Sequence, residues 1–317
     1  MFKNKYPLKI FAIISLVVIA LTAIFVGVFG INSSIEIAGG SQLEVKISSY
    51  QGDEYNSGEE NVAEYVSEIK NVLKDYGCSI DSYFVEDKLV DSYLIVRIAK
   101  SDIKNADQIP SAVATKLGID ASNVSEILQI ESYFSNDQLI YVGLAILSVI
   151  IICFFAGWIR YSVLGGVTLA FAVLHNFILS LAVTFLTRVQ FSIVSLVATI
   201  LFSAITVFVL VVILERVKEN AQSSQYANMS EAQQLIVSTK QNKMLLYISV
   251  AILAVCLVLI CIPVKYVQLS ALSVALCTLV AGYTSICVAP ALYVYLLEIK
   301  NIKEKLRLSK DVKPNKK

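Results

Sequence analysis

The sequence predicts a polytopic α-helical membrane protein of six transmembrane helices, carrying one extracytoplasmic α+β domain of ferredoxin-like, βαββαβ order. Three observations predict it. Hydrophobic residues make up 56% of the chain and charged ones only 16%, with a mean hydropathy of +0.70, far from the usage of a soluble domain. Six apolar runs each reach the roughly 20 residues that cross a hydrocarbon core of about 30 Å. Between the first and second runs lie about 107 residues (32–138) of ordinary soluble composition, enough for one small domain.

The first run, Ile10–Ile31, exceeds the apolar core of a signal peptide, about 7–15 residues, and no convincing small-residue cleavage site follows. It reads as a retained span. Lys3, Lys5 and Lys9 precede it, Arg160 stands between spans two and three, and Arg216, Lys218, Lys240 and Lys243 stand between four and five. Lys300, Lys303, Lys305, Arg307, Lys310, Lys313, Lys316 and Lys317 follow span six, whereas the alternate short loops hold only Arg188 and Lys265. Positive charge retained inside therefore places both termini in the cytoplasm and residues 32–138 outside. The basic tail, 298–317, reads either as a disordered topology anchor or as a segment lying on anionic lipid headgroups. With a net charge of +1, no nucleic-acid partner is expected.

Within the outer segment, 41–49 alternates as a strand, and 59–77 sets Val62, Val66, Ile69 and Val72 at helical spacing with Gly77 as its stop. Residues 79–86 and 92–99 read as two strands. Residues 106–118 read as a helix closed by Gly118, and 124–134 as a last strand. That order predicts a split βαβ sandwich.

The second half, 139–297, reads as a five-helix bundle with spans at Leu139–Trp158, Val163–Leu186, Phe191–Leu214, Met244–Ile262 and Val267–Leu297. A polar loop, 215–243, separates the fourth span from the fifth. It reads equally as a helix on the inner face or as solvated chain. Cys153, Cys256, Cys261, Cys277 and Cys287 fall in spans as small packing residues. Cys78 stands alone outside, and no spacing resembles a metal site. No phosphate loop or hydrolytic set is visible, so neither a cofactor nor enzymatic activity is expected.

Two short motifs are more specific. After span one stands GINSSIEIAGG: Gly30, Ile31 and Asn32, then Ile35, Glu36 and Ile37, then Gly39 and Gly40. Span four ends in ERVKEN: Glu215, Arg216, Val217, Lys218, Glu219 and Asn220. Singly, a Gly pair marks a turn and a charged border an inner-face anchor. Together, at these borders of six spans, they resemble SecF, the smaller half of the SecD/SecF protein-export membrane proteins, over nearly the whole chain.

The resemblance implies an accessory subunit of the Sec translocase in a prokaryotic plasma membrane. Its partners would be a SecD-like subunit, the translocation channel and exported unfolded polypeptides. Such transporters set two related bundles across a pseudo-two-fold axis, and this chain supplies one half.

Two departures bear on mechanism. The His–Asp pair of the family's third span is here His175 and Asn176, and the family's membrane-embedded Asp, counted back from ERVKEN, falls at Val209. An ionisable group deep in a bilayer usually lines an ion path; Val209 offers none. His175 is the one ionisable side chain deep in a span, and it reads as a neutral hydrogen-bonded residue, a proton relay or a partner contact. Asn176 reads as a helix-packing hydrogen bonder, and the span-four hydroxyls as satisfying backbone or cross-helix bonds. Proton coupling would then reside in the partner half. Two other functions are compatible with the layout: a small-molecule or lipid exporter of the same broad superfamily, and a membrane-anchored sensor whose outer domain binds a ligand.

Overall fold

The computed structural model describes residues 8–49, 59–88, 91–98, 103, 105–132, 136–226, 228–262 and 265–311. Lys3, Lys5, Lys313, Lys316 and Lys317 lie outside the described residues, as do the side chains of Glu36, Lys243, Lys265, Lys305, Arg307 and Lys310. The chain forms two units, Ser33–Ile140 and a second made of Met1–Asn32 with Tyr141–Lys317.

The smaller unit opens with a single turn, α2 (Ile35–Ala38); α1 belongs to the larger unit. It then runs β1 (Gly40–Ser49), α3 (Glu59–Asp75), β2 (Ile80–Lys88), β3 (Asp91–Ile98), α4 (Ile109–Leu117) and β4 (Leu128–Ile130). The sheet order is β2-β3-β1-β4 and every pairing is antiparallel, so β3 separates β1 from β2.

Alternation explains the packing: Leu43 and Val45 of β1 and Leu94, Val96 and Ile98 of β3 point to one face. There they meet Ile69, Val72 and Leu73 of α3 and Ile109 and Val113 of α4 in one buried cluster. Both helices end alike. Gly77 and Gly118 adopt φ of +67°, letting Cys78 N–H reach the Leu73 carbonyl at 2.9 Å and Ile119 N–H reach that of Ala114 at 3.1 Å. This is the 6→1 closure that a left-handed residue makes possible. Pro110 fixes the first turn of α4, where its missing N–H costs nothing, and a 3₁₀ turn, Ala106–Gln108, takes the start of the expected helix.

The expected last strand, 124–134, is broken. Val124 makes an isolated bridge to Val45, and pairing resumes only over Leu128–Ile130. Between them Ser125 N–H donates to the Glu44 carbonyl and Glu44 N–H donates to Ser125 Oγ, both at 2.9 Å, in place of a ladder. Residues 133–134 of that strand lie outside the described residues.

The larger unit comprises α1 (Leu8–Phe29), α5 (Asn136–Tyr161, from Tyr141 on), α6 (Val163–Leu186), α7 (Ile193–Gln222), α8 (Glu231–Gln241), α9 (Lys243–Ile260), α10 (Lys265–Tyr283) and α11 (Ala289–Asp311). Among the described residues, five helices are long and apolar enough to cross a membrane: α1, α5, α6, α7 and the α10–α11 rod. Tyr247–Ile260 of α9 is a shorter apolar helix.

Three boundaries differ from expectation. The α7 helix does not stop at Leu214 but carries ERVKEN as two further turns, because charge ends a hydropathic run without ending backbone hydrogen bonding. Of the expected loop 215–243, residues 231–241 form α8. Its N-terminus is held by a capping box between Ser230 and Gln233. Last, α10 and α11 join through a π turn, Thr284–Val288, and helix continues to Asp311, so the described part of the basic tail is helical. Pro290 explains the π turn: it cannot donate to the carbonyl four residues earlier, and a widened turn accommodates the ring.

Helices α5 and α6 approach through glycines. A Cβ on Gly157 would stand 2.8 Å from the Gly166 Cα, and one on Gly166 would run into the Phe154 carbonyl oxygen. Contact this close without side chains is how membrane helices gain dispersion energy where lipid removes the hydrophobic drive.

Candidate functional site

The motif residues fall into three polar clusters, two at helix ends and one at mid-helix. Gly30 takes φ of +67° directly after α1, turning its carbonyl toward the α6–α7 turn. Arg188 Nη1 donates to the Gly30 carbonyl at 2.6 Å, while Asn32 Nδ2 donates to the Arg188 carbonyl at 2.9 Å. Phe191 N–H closes the set on the Asn32 carbonyl at 2.7 Å. Arg188 itself sits at φ of +58°, an uncommon conformation for a residue with a side chain, and its guanidinium lies 5.9 Å from the centre of the Phe29 ring.

Gly39 and Gly40, in the smaller unit, are small for steric reasons. Gly39 has φ of +76°, and a Cβ there would be 3.1 Å from Ser132 N. A Cβ on Gly40 would collide with the Ile35 side chain and the Ile98 carbonyl. The Gly pair thus lets α2 turn tightly into β1.

ERVKEN forms the cluster at the opposite end of α7. Glu215 accepts from Arg160 Nε at 2.7 Å and from the Tyr161 hydroxyl at 2.8 Å. Lys218 donates to the Arg160 carbonyl at 3.1 Å, its ammonium 5.5 Å from the Tyr161 ring centre. Val217 is buried in the bundle core, and Asn220 donates to Ser238 Oγ of α8 at 2.8 Å. Arg216 and Glu219 are exposed. The exposed Arg160–Glu215 pair adds little stability by itself, yet it ties the α5–α6 turn to α7. Tyr293 of α11 donates to Glu231 of α8 at 2.6 Å, fastening α8 on its other side.

The middle cluster surrounds His175. Its Nδ1 is 3.0 Å from Thr284 Oγ1 and its Nε2 2.9 Å from Ser15 Oγ. Ser15 Oγ is 3.3 Å from the Tyr283 hydroxyl, which donates to the Phe11 carbonyl at 2.9 Å. One set of donors and acceptors uses every one of these contacts. Tyr283 spends its proton on Phe11, so Ser15 donates to Tyr283 and accepts from His175 Nε2–H. Nδ1 then accepts from Thr284. One neutral tautomer satisfies the whole chain, which joins α1, α6 and the π turn and ends on a carbonyl that has no proton to pass on. Phe171 stacks on the imidazole at 5.5 Å.

Asn176 is fully buried and donates to Ser203 of α7 at 3.0 Å. Val209 is 3% exposed, packed in a cluster with Leu210, Ile213 and Leu214. Hydroxyls along α7 point their protons back along the helix: Thr199 to the Ser195 carbonyl, Ser203 to that of Thr199, and Thr206 to that of Phe202, at 2.8–2.9 Å. Among the described residues, no three His, Cys, Asp or Glu side chains gather as a metal site.

The sequence gives little warning of Ser15, Tyr161, Tyr283 and Thr284. Each is one hydroxyl in or beside an apolar run, and membrane helices carry many such residues in ordinary back-bonds.

No protein-family model matches the sequence, and no curated protein matches it. Solved structures do. The crystal structure of SecDF in a super-membrane-facing form matches with a TM-score of 0.69 at 17% identity, over 97% of this chain and 40% of that one. SecDF from Thermus thermophilus, described as a translocon-associated membrane protein, matches with a TM-score of 0.59 at 19% identity, over 94% of this chain and 39% of that one. The fold is therefore that of SecDF along nearly the entire chain, and the chain spans about 40% of the length of those structures.

Proposed function

We propose that this protein is a SecF-like half of a SecDF-type export machine, a non-enzymatic, multi-pass protein of a prokaryotic plasma membrane with both termini cytoplasmic. The observation that carries the reading is a likeness to SecDF over 97% of the chain, joined to the two SecF-like motifs, of which Gly30 and Asn32 on one side and Glu215, Lys218 and Asn220 on the other tie elements at opposite ends of α7. In this reading α9 completes six spans, and the domain of 33–140 is an extracytoplasmic ferredoxin-like module whose split βαββαβ order supports the assignment. The partners are a SecD-like half corresponding to the remaining length of the SecDF structures, the translocation channel and emerging unfolded polypeptides. Anionic lipid lies against the basic helix after Leu297.

The half described here is the passive one. Val209 replaces an ionisable group with an apolar contact, and the His175 chain uses its protons in one closed assignment. Coupling to an ion gradient then belongs to the partner half.

Deletion of the gene, with pulse-chase measurement of a secreted reporter, tests the reading alongside co-purification from membranes. Slowed reporter maturation and recovery of a SecD-like chain and the channel are expected. Unchanged maturation with neither partner recovered overturns the proposal.

A further inference from the structure

The smaller unit carries a long strand edge whose centre is uncharged. At nine residues, β2 is a full-length strand standing last in the sheet, and among the described residues nothing pairs with its outer side. Sheets usually blunt such edges by shortness, charge, proline or bulges. The other edge is blunted: β4 has three residues. At β2 a register irregularity marks the start, between Ile80 and Ser82, and the run Ser82–Val85 that follows carries no charge.

Tyr83, Phe84 and Val85 are also partly uncovered, on both faces of the sheet. Tyr83 and Val85 pair with Val96 and Leu94, whose side chains lie in the helix-covered core, yet they are 42% and 41% exposed. The helices do not reach over the edge. Phe84, on the opposite face, is 40% exposed and lies under Arg97 at 5.2 Å. Asp81 and Glu86 bracket this apolar centre with negative charge.

We propose that the outer edge of β2 binds an extended segment of the exported polypeptide as an added strand; this rests on the export reading above. An open edge supplies backbone donors and acceptors to any extended chain, so affinity is largely independent of sequence. Tyr83, Phe84 and Val85 add grip for alternating apolar side chains, and the flanking acids favour a segment with basic ends. An unfolded chain presents those features, and a folded one conceals its backbone.

The test uses the full chain in lipid nanodiscs and a fluorescent twelve-residue peptide with an alternating Val/Tyr/Thr centre and lysine ends, read by anisotropy. Saturable binding is expected, weakened at least ten-fold by Phe84→Lys with Val85→Lys and unchanged by Glu64→Lys on the exposed side of α3. Tyr83→Thr with Val85→Thr keeps strand propensity while removing apolar grip, and is expected to weaken binding too should the lysine variant fail to fold. Equal binding by wild type and folded edge variants overturns the inference. So does the loss, in those variants, of self-association measured by sedimentation when the peptide binds to neither, which assigns the edge to a second copy. Edge-sensitive binding upholds strand addition even where gene deletion leaves export intact, an outcome that overturns the export reading alone; slowed export without peptide binding overturns this inference alone.

Discussion

Replacing His175 separates a staple from a relay. His175→Phe keeps the ring and its stacking on Phe171 but removes both hydrogen bonds, at 3.0 Å to Thr284 and 2.9 Å to Ser15. Side-chain bonds between membrane helices are worth about 0.6 kcal/mol on average and about 1.7 kcal/mol at most, so losing two costs about 1–3 kcal/mol. His175→Ala adds a cavity, and a half-buried site takes the lower end of the usual large-to-small penalty, about 2 kcal/mol more. His175→Gln can donate one amide proton toward Ser15 and accept from Thr284, and should recover most of the loss. The stability assay is a denaturant titration in mixed micelles. The functional assay is secretion of a reporter normalised to the amount of this protein in the membrane. A staple in a passive half predicts ranked stabilities, wild type above Gln, Gln above Phe, Phe above Ala, with normalised export within about two-fold throughout. A relay predicts the reverse separation. A more than ten-fold loss of normalised export in the Phe variant, equivalent to about 1.4 kcal/mol on the rate-limiting barrier, with normal stability and no rescue by Gln, refutes the staple. Nitrogen NMR of the labelled ring supplies a third readout, with hydrogen on Nε2 alone expected from the donor arrangement that uses every contact.

Gly166→Ala should lower the thermal midpoint, because the new Cβ meets the Phe154 carbonyl oxygen and stands 3.0 Å from Trp158 N; overpacking of this kind costs about 1–3 kcal/mol. Gly143→Ala, with nothing within 4 Å of its Cβ, is the matched control expected to be neutral. Ser230→Ala removes the capping box of α8, a loss of about 1 kcal/mol, and should speed amide exchange over residues 231–241 while leaving α6 and α7 unchanged.

What the sequence reveals follows from which interactions are local. The alternation of Leu43 and Val45, the spacing of Ile69 and Val72, and the stops at Gly77 and Gly118 are short-range signals, and the structure forms those elements within a few residues of where the pattern puts them. Hydropathy marks the spans by the same logic but misjudges their ends. It reads charge at Glu215 as an exit from helix, whereas the backbone continues to Gln222 because Glu215 and Lys218 find partners on the α5–α6 turn. It also extends the fifth span to Ile262, where the helix ends at Ile260. The polar chain at His175 is illegible for a different reason. Its members come from positions 11, 15, 175, 283 and 284, and only the packing of three distant helices makes them neighbours.

The two motifs that carry the resemblance can thus be separated from the residue that would carry a mechanism. Gly30, Asn32 and Lys218 act through backbone carbonyls, and Glu215 and Asn220 through side chains of neighbouring elements, so all five suit any half-bundle that must hold its helix ends in register, coupled or not. An ion path makes a different demand: a group that changes charge, with hydrogen-bonding neighbours free to reorient. Along α7 the hydroxyl protons of Thr199, Ser203 and Thr206 are committed to carbonyls one turn back, and Val209 continues that stripe into apolar core. Under the function proposed above, such ties without a titratable group would keep the shape of a transporter half without its coupling step, as a surface for a moving partner. On that reasoning an acid placed at Val209 would restore no coupling: it would bury a charge beside Leu210 and Ile213, at a cost of about 2.5–3.5 kcal/mol on insertion scales, and lower the stability of the protein in a denaturant titration without raising reporter export.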